Sequence, residues 1–229
     1  IGMPGSKDLE NAKIVANHIG SIHHEVVLSK EQFFGAIPEV IKAIESYDTT
    51  TVRASVGNYL VSKYIRENSE AKVIFNGDGS DEVTGGYMYF HCAPTSGHFD
   101  AECKRLLEDI SYFDVLRSDR SISSNGLEAR TPFLDKDFVR AYLSIDKDVR
   151  FHGYNGKCEK YLLRQAFDSM SILPKEVLWR TKEAFSDGVS NQKKSWYEII
   201  QEKVEQNDVL SFNNKKSYIE NEWNTPSTK

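Results

Sequence analysis

The sequence predicts an α/β protein in which a parallel sheet with flanking helices is followed by a helix-rich second half. Three observations predict this class. Short apolar runs alternate with helical apolar stripes up to residue 75, which is the pattern of parallel strands joined by helices. A Gly- and Asp-rich run then follows the apolar segment 73–75, where a strand should lead into a helix. Beyond residue 82 the apolar spacing is mostly helical.

The first 75 residues contain three candidate strands and three candidate helices. Gly20 is placed to end the first helix, because glycine adopts the left-handed conformation of a helix C-terminus without strain. Ser29 is placed to cap the second helix, and Ser6 or Asp8 to cap the first. A polar break is expected at 48–51. The candidate strands are 1–3, 24–28 and 72–75, and the candidate helices are 8–19, 31–46 and 54–66.

The second half contains four candidate helices and ends in a polar segment. Residues 180–191 are polar, so an ordered loop is expected there. Residues 207–229 are rich in Asn, Lys and Ser, a composition that favours mobility. We therefore predict one domain at 1–206 and a polar, mobile C-terminal segment at 207–229. The candidate helices are 99–123, 135–143, 157–170 and 192–206.

Composition argues against several classes of function. A net charge of −5 over 229 residues argues against a broad nucleic-acid surface. No apolar run approaches the roughly 18 residues needed to span a bilayer, and no signal peptide is visible. Three widely spaced cysteines fit reduced thiols better than a disulfide framework or a metal site. We therefore expect a cytoplasmic protein that binds neither nucleic acid nor membrane.

The most informative motif is the run NGDGSDE at 76–82. It places two glycines, a hydroxyl, an amide and three carboxyls at the carboxyl edge of the predicted sheet, where α/β proteins bind ligands. Glycine lets backbone N–H groups approach a phosphate closely, and the carboxylates then require a divalent cation or an amine beside that ligand. The alternative is an ordinary turn in which Ser80 or Asp81 caps the next helix.

Several long blocks of the sequence resemble the synthetase domain of the asparagine synthetase family, in that family's order. The resemblance implies a fold of the adenine-nucleotide alpha-hydrolase (ATP pyrophosphatase) type. The family's Ser-Gly-Gly-x-Asp-Ser pyrophosphate loop would precede residue 1, so the chain is expected to be a partial synthetase domain that is inactive alone. The resembling blocks are 1–25, 44–66, the run NGDGSDEVTGGYMYFHCAP from residue 76, 126–138, 159–167 and 173–189.

The resemblance implies an ATP-dependent reaction of aspartate. Aspartate and ATP form β-aspartyl-AMP and pyrophosphate, and ammonia then displaces AMP to give asparagine. The ammonia is released from glutamine by an N-terminal glutaminase domain of the same parent chain. ATP and Mg²⁺ are therefore the expected cofactors. The resemblance leaves open whether the parent protein is a homodimer.

The resemblance also assigns residues to this reaction. Asp78 and Lys160 match catalytic positions, and Asp81 matches a ligand of Mg²⁺. The alternatives are a solvent-facing helical lysine at 160 and a helix cap at 81. The residues expected to contact the nucleotide are Ile1, Asn76, Gly77, Gly79, Ser80, Arg180 and Lys182.

Two further charged groups have structural alternatives. Asp48 and Arg53 could hold the charged groups of aspartate or serve the fold, and the sequence favours neither. Glu128, Arg130 and Asp135 are expected to form a buried ionic brace rather than a catalytic set.

The sequence departs from the family pattern at two positions. Asp78 stands where the family usually has Glu, and Asn76 stands where it has Ser. Aspartate is one methylene shorter, so its carboxyl could fall about an ångström short of its target, and such a displacement can reduce a rate about 100-fold. Three hypotheses therefore remain: an asparagine synthetase, a sister adenylating enzyme such as a β-lactam synthetase, and a degenerate nucleotide-binding domain.

Overall fold

The structure is a computed structural model that describes residues 1–153, 156–190 and 194–206. Helices make up most of the described chain, and short 3-10 turns lie at Met88–Cys92, Ile110–Tyr112 and Pro132–Leu134. The strands are β1 (Val73–Phe75) and β2 (Glu128–Arg130). The helices are α1 (Lys7–Ile19), α2 (Lys30–Gly35), α3 (Ile37–Ile44), α4 (Thr49–Asn68), α5 (Ser80–Thr84), α6 (Ser96–Asp109), α7 (Asp114–Ser123), α8 (Lys136–Ser144), α9 (Lys147–Arg150), α10 (Tyr161–Asp168), α11 (Lys175–Leu178), α12 (Phe185–Gly188) and α13 (Trp196–Gln206).

The predicted strand at 72–75 is present as β1, but its parallel partner is β2, which the sequence did not predict; Ile74 lies opposite Ala129. The predicted strands at 1–3 and 24–28 are wrong as regular strands, because they form only one parallel bridge, between Gly2 and Val27. Pro4 has no N–H to donate, which prevents this pairing from extending along the chain. A mixed α/β fold is therefore confirmed, while the larger sheet of the ATP pyrophosphatase type stays a prediction.

Some of the helix ends predicted from local residues in the first half are present, and others are not. Ser29 caps α2 in a reciprocal capping box with Gln32, and Gly20 ends α1 with φ 69°, as predicted. The single helix expected at 31–46 is divided at Ala36, ahead of a proline in the first turn of α3. Ser6 does not cap α1, because its hydroxyl donates instead to the carbonyl of Gly188, 2.6 Å away.

The expected polar break at 48–51 is the beginning of the longest helix. Asp48 Oδ1 accepts the backbone N–H of Thr51 at 2.8 Å and its hydroxyl at 2.7 Å. This N-terminal cap starts α4, which packs against α3 and α7. Three consecutive threonines suit the first helical turn once Asp48 supplies the cap.

The main core brings the end of the described chain onto its beginning. Trp196 of α13 packs edge-on against Phe33 with ring centroids 5.6 Å apart, and its indole N–H donates to the carbonyl of Arg53 at 3.3 Å. Both rings are fully buried. Gly57 of α4 leaves room for Phe185, whose ring would stand 2.6 Å from an added Cβ. These contacts hold the segment before α13 against α4.

The second half is helical, as predicted, and α8 matches the helix predicted at 135–143, but other predicted helices are interrupted or shorter. The helix expected at 99–123 is α6, a 3-10 turn and α7, and the one at 157–170 contains only α10. The ordered loop expected at 180–191 includes the short α12. The segment 207–229 lies outside the described residues. In the described ranges no helix is long and apolar enough to cross a membrane.

Candidate active site

The turn after β1 is fixed by its own side chains. Asn76 Oδ1 accepts the N–H of Asp78 at 3.2 Å, and its Nδ2 donates to the hydroxyl of Ser118 at 2.9 Å. Gly79 begins α5 with φ 85°, and an added Cβ would lie 2.2 Å from the side chain of Leu134. Only glycine satisfies both the dihedral angle and the space here.

The helix-cap interpretation of Ser80 and Asp81 is wrong. The N-cap of α5 is Gly79, without a side-chain hydrogen bond, and Asp81 lies within the first turn. Its carboxylate faces two cations: Lys160 Nζ is 3.1 Å from Oδ1, and Lys182 Nζ is 3.0 Å from Oδ2. Lys160 also donates to Ser80 Oγ at 2.8 Å. We call Asp81, Lys160 and Lys182 the lysine–aspartate cluster.

The alternative of a solvent-facing helical lysine is wrong for Lys160. The residue precedes α10 with φ 57°, in the left-handed region that non-glycine residues seldom adopt. Its side chain is only 17% exposed. A buried ammonium in a strained backbone position is typical of a functional site.

Gly86 makes room for this cluster, and the sequence analysis missed it. A Cβ at this position would lie 2.1 Å from Asp81 Oδ1 and 2.3 Å from Lys160 Cε. The backbone N–H of Gly86 also donates to the carbonyl of Asp81 at 2.7 Å. The only signal in the sequence was the glycine pair at 85–86, directly after the motif.

Burial and pairing act in opposite directions on the cluster. Burial, the largest single influence, pushes the pKa of Asp81 upward, but the attraction of Lys160 and Lys182 leaves that pKa below its usual value. Burial lowers the pKa of Lys160, and the nearby carboxylate of Asp81 only partly offsets this. Asp81 is therefore ionised at neutral pH.

Asp78 differs from Asp81 because no cation of the residues that the structure describes forms an ion pair with it. Its Oδ2 is buried and has no hydrogen-bond partner in the described part of the chain. Burial raises the pKa of Asp78, and hydrogen bonding to Ser118 and the charge of Arg117 only partly oppose it. A carboxyl with an open lone pair and a raised pKa can orient, or exchange a proton with, a bound ligand.

A second charged group lies beside the cluster and was also missed. The Tyr87 hydroxyl lies within hydrogen-bonding distance of the carboxyl groups of Glu82 and, at 2.7 Å, Asp114 Oδ2, and its single proton can be donated to only one of them at a time. Arg117 pairs with Asp114. Burial raises the pKa of Glu82 and that of the Tyr87 hydroxyl. Lys182 also lies 5.8 Å from the Tyr87 ring centroid, which joins the two groups.

Most of these groups, but not Lys160, line a cavity of about 460 Å³, which we call the polar cavity. Its walls present acids and bases together, which suits a ligand with both amino and anionic groups. Its lining includes most of the predicted site: Asn76, Gly77, Asp78, Gly79, Asp81 and Lys182, together with Thr50, Arg53, Glu82, Tyr87, Asp114, Arg117 and Phe185.

Two of the predicted nucleotide contacts lie elsewhere. Ile1 and Arg180 line a neighbouring cavity of about 510 Å³ beside α1, and Arg180 pairs there with Asp8 at 3.0 Å. Phe185 lines both cavities. The predicted residues therefore divide into three sets. Asn76, Gly77, Asp78, Gly79, Asp81 and Lys182 line the polar cavity, and Ile1 and Arg180 lie beside α1. Ser80 and Lys160 line neither cavity and contact each other beside Asp81.

The predicted ionic brace is wrong. Glu128 and Arg130 pair with each other at 2.6 Å but are 61% and 57% exposed, and Asp135 caps α8 at the surface. Of the other uncertain pair, Asp48 caps α4, whereas Arg53 lines the polar cavity.

The described residues fit part of a magnesium site. In the ranges 1–153, 156–190 and 194–206, no three His, Cys, Asp or Glu side chains are grouped as metal ligands. Asp81 Oδ1, however, accepts no hydrogen bond there, although Lys160 forms an ion pair with it. Mg²⁺ is commonly held by one or two carboxylates together with substrate phosphates. Asp81 therefore fits a Mg²⁺ that a nucleotide brings.

The fold and the cavity define a mixed α/β protein with a charged cavity beside the turn that follows a parallel strand. The chain belongs to the asparagine synthase family, whose model matches residues 1–102 and 92–227. It is similar to the glutamine-hydrolyzing asparagine synthetases of Gallus gallus, 51% identical over 231 residues, Mus musculus, 51% over 232, and Homo sapiens, 50% over 231. In each comparison all of this chain is covered, and it spans about 40% of the relative's length.

Proposed function

We propose that the chain is the synthetase part of a longer enzyme that amidates aspartate to asparagine with ATP. Family membership supports the reaction, and the lysine–aspartate cluster beside the polar cavity is the observation that supports the site. Two ammonium groups and one carboxylate meet at the turn after β1, where α/β proteins bind ligands. Bound phosphates would take the place of Asp81 as partners of the lysines.

The reaction proceeds in two balanced steps. An oxygen of the aspartate side-chain carboxylate attacks the α-phosphorus of ATP, and the bond from that phosphorus to pyrophosphate breaks. The nitrogen of ammonia then attacks the carbonyl carbon of β-aspartyl-AMP, the bond from that carbon to the AMP oxygen breaks, and the nitrogen loses one proton to solvent. Both steps concentrate negative charge on phosphate oxygens, which fixed cations stabilise.

Each predicted residue has a role in this scheme. Lys160 and Lys182 neutralise the phosphates, and Asp78 orients the aspartate or the attacking ammonia from its open Oδ2. Asp81 holds Mg²⁺, which when bound neutralises phosphate charge. The backbone at Asn76, Gly77, Gly79 and Ser80 faces the nucleotide, whereas Ile1 and Arg180 contact it only if it reaches the cavity beside α1.

The proposed reaction also needs a source of ammonia. We propose that a glutaminase domain of the same parent protein supplies ammonia from glutamine, in the cytoplasm. The proposed reaction is compatible with either a monomer or a homodimer.

A second candidate function is a nucleotide-binding domain without synthetase activity. The short side chain of Asp78 favours it, because the family usually has Glu there. A sister adenylating enzyme, such as a β-lactam synthetase, would use the same cluster with another acceptor.

The deciding experiment measures ATP–pyrophosphate exchange by the full-length protein with and without aspartate, and asparagine formation with ammonia. We expect aspartate-dependent exchange and asparagine, both reduced at least about 100-fold in Lys160→Ala. Nucleotide binding without exchange would favour the non-catalytic domain. Exchange with a different carboxylic acid, but not with aspartate, would favour the sister enzyme.

A further inference from the structure

The two lysines of the cluster lie in different local structures. Lys160 adjoins a helix, whereas Lys182 lies in a segment without regular secondary structure. Lys160 immediately precedes α10, and its carbonyl accepts the N–H of Arg164 at 3.0 Å. Lys182 lies in the segment 180–184, between α11 and α12, which has no regular secondary structure. A cation on such a segment needs other contacts to hold its position.

Side chains from the start of α10 supply those contacts. Arg164 Nη1 donates to the carbonyls of Leu178 and, at 3.0 Å, Arg180. Glu159 Oε1 accepts the backbone N–H of Lys182 at 2.9 Å. Three backbone groups of 178–182 are thus bonded to two side chains rather than to a helix or sheet.

The two side chains also bind each other. Arg164 Nη2 donates to Glu159 Oε1 at 2.7 Å, and Arg164 Nε donates to the Glu159 carbonyl at 2.8 Å. Glu159 is 3% exposed, and its other carboxylate oxygen lies 3.9 Å from His91 Nε2. A buried arginine fork with two acceptors on one residue fixes geometry as well as charge.

We infer that Glu159 and Arg164 are positioning residues, which set the distance between Lys160 and Lys182 so that both ammonium groups reach the same ligand. Glu159 is the residue before Lys160 in the chain and also binds the backbone of Lys182, so one side chain relates the two lysines directly. This inference rests on the proposed function for its effect on turnover, but not for its effect on structure.

The test is a double-variant cycle on the full-length protein, with Glu159→Ala and Glu159→Gln made in the parent and in a Lys182→Ala background. Glutamine retains an Oε1 that accepts from Lys182 and Arg164, and alanine does not. We expect Glu159→Ala to reduce kcat of aspartate-dependent ATP–pyrophosphate exchange about 30-fold, with a smaller change in KM, and Glu159→Gln about threefold.

The Lys182→Ala background separates positioning from general destabilisation. If Glu159 acts through Lys182, Glu159→Ala should lower kcat by no more than about threefold once Lys182 is absent, although it still lowers the melting temperature. An equal loss of kcat in both backgrounds would overturn the inference. The matched control is Arg140→Gln, which breaks an exposed pair with Asp137 and should leave kcat unchanged.

A second measurement decides the inference even without turnover. Amide hydrogen exchange of the peptide containing Lys182 should be at least about tenfold faster in Glu159→Ala than in the parent, and near parental in Glu159→Gln. Unchanged protection in Glu159→Ala would overturn the positioning role. If the unsubstituted full-length protein shows no aspartate-dependent ATP–pyrophosphate exchange, the proposed function is wrong. The amide hydrogen-exchange measurement would still test whether Glu159 and Arg164 position Lys182. If Glu159→Ala does not fold, Arg164→Lys, which loses the fork, replaces it in both measurements.

Discussion

The two parallel strands end at the same edge of the sheet, yet the charged residues that follow them differ in burial and in ion pairing. After β1, Asp81 is 18% exposed and contacts two lysines. In and after β2, Glu128 and Arg130 are mostly exposed, and Asp135 only caps α8. Both segments are rich in charge, so charge near a strand end does not by itself identify a site.

The difference lies in what reaches each strand end from elsewhere in the chain. Lys160 and Lys182 are 80 and 101 residues away from their partners Ser80 and Asp81. Within the described part of the chain, Glu128 pairs only with Arg130, which is two residues away. Burying an ionised carboxylate is costly without a paired cation, so the two distant lysines allow Asp81 to be buried in its charged form at the end of β1.

The largest expected effect breaks the cluster itself. Asp81→Asn removes the partner of two partly buried ammonium groups and should lower the free energy of unfolding by about 3 kcal/mol. Aspartate-dependent ATP–pyrophosphate exchange should fall more than about 100-fold. Urea unfolding and exchange assays measure both effects.

The matched change at the other strand end is Glu128→Gln. Its exposed pair with Arg130 should contribute within about 0.5 kcal/mol, and exchange should be unaffected. Equal losses of stability in the two variants would show that the two strand ends do not differ as their burial indicates.

The next effect concerns Asp78, the departure from the family pattern. Asp78→Asn keeps the size but loses the charge, so exchange should fall about 100-fold. Asp78→Glu should raise exchange, because the longer side chain extends further into the polar cavity. Slower exchange in Asp78→Glu would indicate that the turn has adapted to aspartate, and no response to either change would remove Asp78 from the mechanism.

A smaller effect is expected from crowding the cluster. Gly86→Ala places a methyl group against Asp81 and Lys160, so exchange should fall about tenfold and the free energy of unfolding by about 1–3 kcal/mol. Gly35→Ala is the control, because an added Cβ there meets no atom within 4 Å at the end of α2. The control should be neutral or slightly stabilising. Similar behaviour of the two variants would contradict the close approach at Gly86.

The smallest effect is a pH dependence of stability at Glu82. Burial raises the pKa of Glu82 in the folded protein, so the folded state holds this proton more firmly than the unfolded state. The stability associated with that proton is present at low pH and lost as the pH rises through the folded pKa. Glu82→Gln removes this loss, so its stability relative to the parent should improve from about pH 4 to about pH 8. A relative stability that worsens over this range would contradict the raised pKa.

Local elements of the fold could be predicted because their causes are local. The Ser29 cap and the Gly20 helix end depend on residues within one helical turn, and both are confirmed. The break expected at 48–51 failed because a run of polar residues does not reveal that Asp48 would cap a helix. The prediction of regular strands at 1–3 and 24–28 was wrong, because strand pairing depends on partners that are far away in the sequence.

The sequence alone determined the parallel α/β class, the family and the position of the charged turn after β1. Only the tertiary structure decided that Lys160 and Lys182 meet at Asp81, that Gly86 must lack a side chain there, and that Arg180 lies beside α1. The physical reason is that the burial and pairing of charges depend on distances in the folded protein between residues that are far apart in the sequence. Charges become a site only where the fold brings opposite signs together away from water, and a linear pattern does not contain that distance.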